Sequence, residues 1–171
     1  ELLSQSQSGA IFGIDYSQDG KWLATVGTDK VVRVWDADSL DERQALHGHS
    51  GPIYNVAFAG NGPLLATVGW GKSIHLWNVE TGAEVQVLSG SQSDVWGVAF
   101  CQDGNHLIAS GQDGSTRIWE LPAGRQIAQL GGHESSVHNV SLDPQQQRIA
   151  TSGRDGNIRI WDLRELNADS T

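Results

Sequence analysis

Apolar residues in this chain fall in short alternating runs, each cut off by residues that favour tight turns. Val32, Val34, Ile74, Leu76, Ile118, Ile158 and Ile160 alternate with Arg33, His75, Arg117 and Arg159, the two-residue period of strands with one buried face. Gln18-Asp19-Gly20, Asn61-Gly62-Pro63 and Asp103-Gly104 separate such runs. Asp-Gly and Asn-Gly supply the positive φ angles of tight hairpins, so the pattern predicts antiparallel meanders. Ile11/Ile14, Ile53/Val56, Val95/Val98 and Val137/Val140 mark a further strand in each group. Gly13, Ala57, Gly97 and Ala99 sit among them, as strands crowded near a common axis require. No helical period competes with this reading.

The runs recur. Trp35, Trp77, Trp119 and Trp161 follow one another at steps of 42 residues. On that step IFGIDY from Ile11, IYNVAF from Ile53, VWGVAF from Val95 and VHNVSL from Val137 align, as do LATVGTD, LATVGWG, LIASGQD and IATSGRD. A third register, VVRVWD, SIHLWN, STRIWE and NIRIWD, ends at Asp36, Asn78, Glu120 and Asp162. Four units therefore fill the chain, approximately 5–46, 47–88, 89–130 and 131–171, preceded by residues 1–4.

Composition narrows the function. Lys+Arg number 11 against 20 Asp+Glu, a net charge of −9, which argues against binding to nucleic acid or to an anionic membrane. No apolar run reaches a membrane span, and the first residues lack the layout of a signal peptide, so the expectation is a cytoplasmic protein. One cysteine, Cys101, excludes an internal disulfide and paired-cysteine zinc sites. The six histidines fall at different repeat positions, and no metal or cofactor is expected. The chain starts at Glu1 and has no Met, which suggests a segment of a longer protein.

The 42-residue period, the short strands and the closing pairs Trp35-Asp36 and Trp161-Asp162, with Trp77-Asn78 and Trp119-Glu120 as variants, resemble the WD-repeat β-propeller family. The opening Gly-His of that family stands at Gly48-His49 and Gly132-His133, and is replaced by Gly90-Ser91 and Ser6-Gln7. The resemblance implies an all-β propeller of four-stranded antiparallel blades, four in this chain. His133, Thr151, Asp155 and Trp161 include the residue types of a hydroxyl nucleophile, a base and an orienting acid. The resemblance implies instead a hydrogen-bond network that fixes a blade, so no catalytic residue is expected. By the same comparison the first unit lacks the His, the second has Gly71 for the Asp, and the third has Ser91 and Ala109. The second and third blades are accordingly expected to be less rigid.

Directly after the first apolar residue of strand one stand Phe12, Tyr54, Trp96 and His138, all rings, offset by one from the core-facing position. In the family this strand is innermost, which implies that the rings surround the mouth of the central channel. The residues before the turn Asp, Thr28, Trp70, Gln112 and Arg154, and Ala10, Pro52, Asp94 and Ser136, are implied to line the same face. Phe12, Tyr54, Trp70, Trp96, Gln112, His138 and Arg154 are thus the candidate partner-binding rim of a non-catalytic protein- or peptide-binding scaffold. A rival reading is a regulatory or targeting propeller within a larger multidomain enzyme, such as a kinase or protease.

Closure is the remaining question. After Asp162 the residues LRELNADST contain no apolar strand like those ending at Leu88 and Leu130. ELLS at the start falls in that register, although Ser4 stands where Leu46, Leu88 and Leu130 stand. The expectation is either a homodimer closing an eight-blade ring or the remainder of a longer chain.

Overall fold

A computed structural model describes residues 4–60, 62–143, 145 and 147–166, with residues 165 and 166 described for their backbone alone. Among the described residues the alternating runs form fifteen strands in four sheets. The first sheet holds β1 (Ile11–Tyr16), β2 (Trp22–Gly27), β3 (Val31–Asp36) and β4 (Glu42–His47) in that spatial order. The second holds β5 (Ile53–Phe58), β6 (Leu64–Gly69), β7 (Ser73–Asn78) and β8 (Ala83–Ser89). The third holds β9 (Val95–Phe100), β10 (His106–Gly111), β11 (Thr116–Glu120) and β12 (Arg125–Leu130). All neighbours are antiparallel, as meanders built on short turns must be. Gly20 and Gly104 take φ of +71° and +68° in those turns, a region costly for any residue with a Cβ.

The fourth sheet departs from the four-stranded plan. It contains β13 (Val137–Leu142), β14 (Arg148–Gly153) and β15 (Ile158–Asp162), and the chain then makes one helical turn, α1 (Leu163–Leu166). LREL carries no alternating apolar pattern to pair with β15. The expected closing strand at residues 1–4 falls on residues 1–3, outside the described residues, and on Ser4, which is not in a strand.

The sheets stack through their faces, with the inner strands β1, β5, β9 and β13 side by side in succession. Glycine permits that approach. A Cβ on Gly13 would lie 3.1 Å from the Asn55 Cα, and one on Gly97 3.1 Å from the Asn139 Cα. Between the first two sheets Val32, Val34 and Leu46 meet Ile53, Val56 and Trp77. Between the next two Ile74, Leu76 and Leu88 meet Val95, Val98 and Trp119. Ile118 and Leu130 meet Val140 and Ile149 at the third junction. The core is therefore three layers between blades, driven by burial of the alternate apolar residues that the sequence pattern supplies.

Candidate functional site

Each inner strand breaks register once, at its start. Ile11 faces Gly27 and Gly13 faces Val26, leaving Phe12 unopposed. Tyr54, Trp96 and His138 occupy the same two-against-one position in β5, β9 and β13. A β-bulge turns the extra side chain away from its regular direction. These rings stand second in their strands, and the bulge repeats at each of them.

There they form a continuous series. Ring centroids of Phe12 and Tyr54 lie 6.0 Å apart, those of Tyr54 and Trp96 6.3 Å apart edge-to-face, and those of Trp96 and His138 4.8 Å apart. These separations suit aromatic pairs. Burial, then the negative charge of Asp94, raise the Tyr54 phenol above its usual value, so it remains a hydrogen-bond donor at neutral pH. Trp96 Nε1 is buried with no acceptor in reach.

A second line of side chains lies beside the rings, fixed by a hydrogen bond repeated in every blade. The backbone N–H of Thr28, Trp70, Gln112 and Arg154 donates to the carbonyls of Ala10, Pro52, Asp94 and Ser136, at 2.8–3.0 Å. Thr28, Trp70, Gln112 and Arg154 are all exposed, and Trp70 keeps 59% of its surface open. The Trp70 side chain leans on Gly51, where an added Cβ would come within 2.6 Å of the Trp70 Cβ and 2.7 Å of its ring. The next residue, Gly71, has φ +114° and donates its N–H to Asp94 Oδ1 at 2.9 Å, tying the second blade to the third.

Beneath the rim lie the hydrogen-bond networks. In the fourth blade Trp161 Nε1 donates to Thr151 Oγ1 at 3.2 Å, and Thr151 Oγ1 is 2.9 Å from His133 Nε2. His133 Nδ1 is 3.0 Å from both oxygens of Asp155, to which Arg159 donates at 2.8 Å. With the proton on Nδ1, the His donates to Asp155 and accepts from Thr151, while Arg159 Nη1, which donates to the same carboxylate, lies 2.9 Å from that nitrogen. Burial pushes the Asp155 carboxyl up, but hydrogen bonds from His133, Asn157 and Glu134 outweigh it and hold the group well below the usual range. Thr151 is buried and both sides of its hydroxyl are engaged. Chemistry at that oxygen would need an approach the packing closes.

The other blades vary this theme. In the first, Trp35 Nε1 donates to Thr25 Oγ1 at 2.8 Å, and Thr25 donates to Gln7 Oε1 at 2.6 Å. The sequence reading found no His here and did not assign Gln7, although it lies one repeat before His49; its amide oxygen supplies the acceptor that a His nitrogen supplies elsewhere. In the second, Trp77 Nε1 donates to Thr67, which is 2.7 Å from His49 Nε2. Burial, then the neighbouring His75, depress His49 to about 3. His75 stands where other blades have Arg, lies with its ring centroid 4.0 Å from that of His49 at a tilt, and pairs with Glu84. In the third, Ala109 offers no hydroxyl and Trp119 Nε1 is buried without a partner.

A wider depression, about 410 Å³, opens at the opposite rim between Ser17, Asp19, Trp22, Ala59 and Glu80. Trp22, given no role by the sequence, lines it and packs on the first inter-blade core. Burial pushes the Cys101 thiol up to about 12, which leaves it protonated and inert. No helix among the described residues is long and apolar enough to cross a membrane.

A sequence model of the family described as WD domain, G-beta repeat matches residues 2–36, 41–78, 82–120 and 124–162. Each match ends at the strand carrying the repeated Trp, so the sequence repeat begins with the outer strand of one blade and finishes with three strands of the next. No curated protein matches the chain.

Proposed function

The chain belongs to the WD-repeat family, and from that premise we propose that it is a non-catalytic scaffold whose channel-mouth rim binds a protein or peptide segment carrying a basic side chain. WD repeats are generally protein-interaction modules and are typically without catalytic activity of their own. The observation that carries the reading is the unbroken series Phe12, Tyr54, Trp96 and His138, each ring aimed by its own bulge. Rigid aromatic groups bury large area for little lost entropy, and four in contact supply the centre of a binding patch. Trp70 adds an exposed ring to its flank, while Gln112 and Arg154 supply polar contacts. A net charge of −9 and the Asp94 carboxylate favour a cationic partner, because a ring face attracts a cation and the overall field steers it. The buried Thr151 hydroxyl, engaged on both sides, supports a structural role for His133, Thr151, Asp155 and Trp161.

A phage-displayed library of random dodecapeptides, selected on the 171-residue chain, tests this. Enriched peptides are expected to carry Arg or Lys and to lose at least tenfold in affinity on Trp70→Ala or Trp96→Ala, with Tm unchanged for Trp70→Ala. Enriched peptides whose binding ignores both substitutions would remove the rim from consideration.

A further inference from the structure

Two registers of the rim depart from the repeat, and they do so at one junction. Ala10, Pro52 and Ser136 precede the inner strands of the first, second and fourth blades, whereas the third has a carboxylate there, Asp94. The turn after the second strand carries Asp29, Asp113 and Asp155 in three blades, and Gly71 in the second. The two departures touch, because the Gly71 N–H donates to Asp94 Oδ1 at 2.9 Å across the boundary of the second and third blades.

Asp94 differs from the turn carboxylates in what neutralises it. Asp29, Asp113 and Asp155 each pair with an Arg four residues further on. Asp94 is half-buried, and among the described residues no Lys, Arg or His forms an ion pair with it. Lys72, one residue beyond Gly71, is exposed and does not reach it. A carboxylate partly removed from water and left without a cation is held at a cost that an incoming cation relieves.

Rings border the same junction on both sides. Tyr54 belongs to the second blade and Trp96, two residues beyond Asp94, to the third, edge-to-face with centroids 6.3 Å apart. After burial, the Asp94 charge is what raises the Tyr54 phenol, so carboxylate and ring lie within each other's field. Exposed Trp70 precedes Gly71 on the flank. At the other two described boundaries Pro52 and Ser136 supply no charge beside their rings.

Building on the scaffold reading above, we propose that this junction is the subsite for an arginine side chain of the partner, and that Asp94 is the residue that selects it. The guanidinium would lie against Tyr54 and Trp96 and donate to the Asp94 carboxylate. Arginine fits better than lysine, because its planar group both stacks on rings and pairs with a carboxylate, and its weaker hydration eases entry to a half-buried site. Its several N–H donors also serve a carboxylate that already receives one backbone N–H.

The phage-displayed dodecapeptide library, selected in parallel on the unmodified chain and on Asp94→Asn, tests this. Asn retains an oxygen for the Gly71 N–H, so the turn is kept and the charge alone is removed. On the unmodified chain the enriched peptides are expected to share an Arg, whose exchange for citrulline costs about tenfold in affinity and for Lys about fivefold. On Asp94→Asn the citrulline exchange is expected to cost less than about twofold, while the loss on Trp96→Ala remains. Equal citrulline losses on the two chains, or enrichment of Lys in place of Arg, overturn the arginine subsite and leave the scaffold reading standing. Binding that ignores both Trp70→Ala and Trp96→Ala removes the rim, and the subsite with it. Should Asp94→Asn fail to fold, Asp94→Ser, which installs the residue of the fourth blade at this place, carries the same expectations and the same overturning result.

Discussion

The second and fourth blades hold their repeated Trp by the same route, through a Thr hydroxyl to a His, yet they solve the electrostatics around that His in opposite ways. In the fourth, Asp155 receives His133 and Arg159, and the network ends in a charged pair. In the second, Gly71 removes the carboxylate, His75 replaces the Arg, and His49 stays neutral in a setting that depresses it to about 3. The backbone has changed with the side chain, since Gly71 sits at φ +114°, where an Asp would be strained. What the second blade gains is on the outside: Trp70, exposed on the rim, and a backbone bond from Gly71 to Asp94. A blade can give up part of its internal network where the altered turn presents a contact surface.

Removing the hub of the fourth network tests the comparison most severely. Thr151→Ala strands Trp161 Nε1 and His133 Nε2 in the interior and is expected to cost about 2–3 kcal/mol in urea denaturation. The second blade differs in its response to acid. His49 titrates near 6.5 when unfolded and near 3 when folded, so the unfolded chain takes up the proton first. Stability is then lost as pH falls from about 7 towards 3, by about 2 kcal/mol between pH 7 and 5 from this group. Gln7 performs the same acceptor role in the first blade, so His49→Gln is expected to keep the fold and flatten that slope, measured by paired denaturation curves at the two pH values. The third blade offers the reverse experiment: Ala109→Thr supplies the hydroxyl that Trp119 lacks, and a gain of about 1 kcal/mol is expected. Gly71→Asp fails as a simple restoration, lowering stability by about 1 kcal/mol because of its φ, with Tm as the readout. Trp70→Ala is expected to move stability by less than about 0.5 kcal/mol while weakening peptide binding.

Much of the fourth network was legible because His133, Thr151, Asp155 and Trp161 stand where the resemblance to WD repeats places a hydrogen-bond network that fixes a blade. Gln7 was not assigned, because acceptance of a hydroxyl proton depends on where an oxygen lies and not on residue class. The rim rings were legible as a column of aromatic residues, but alternation gives only their side of the strand. The bulges that aim Phe12, Tyr54, Trp96 and His138 belong to the pairing with β2, β6, β10 and β14, which one strand's pattern does not encode.

Period, strand alternation and turn residues determined by themselves that this chain forms four repeated antiparallel sheets, because those are local properties of a pleated chain reversing at Gly-rich turns. The tertiary structure alone decided which equivalent residues are covered. Ile53 and Ile11 are the same residue at the same repeat position, and one is buried and the other open, because burial depends on a neighbouring blade and not on the strand that carries the side chain.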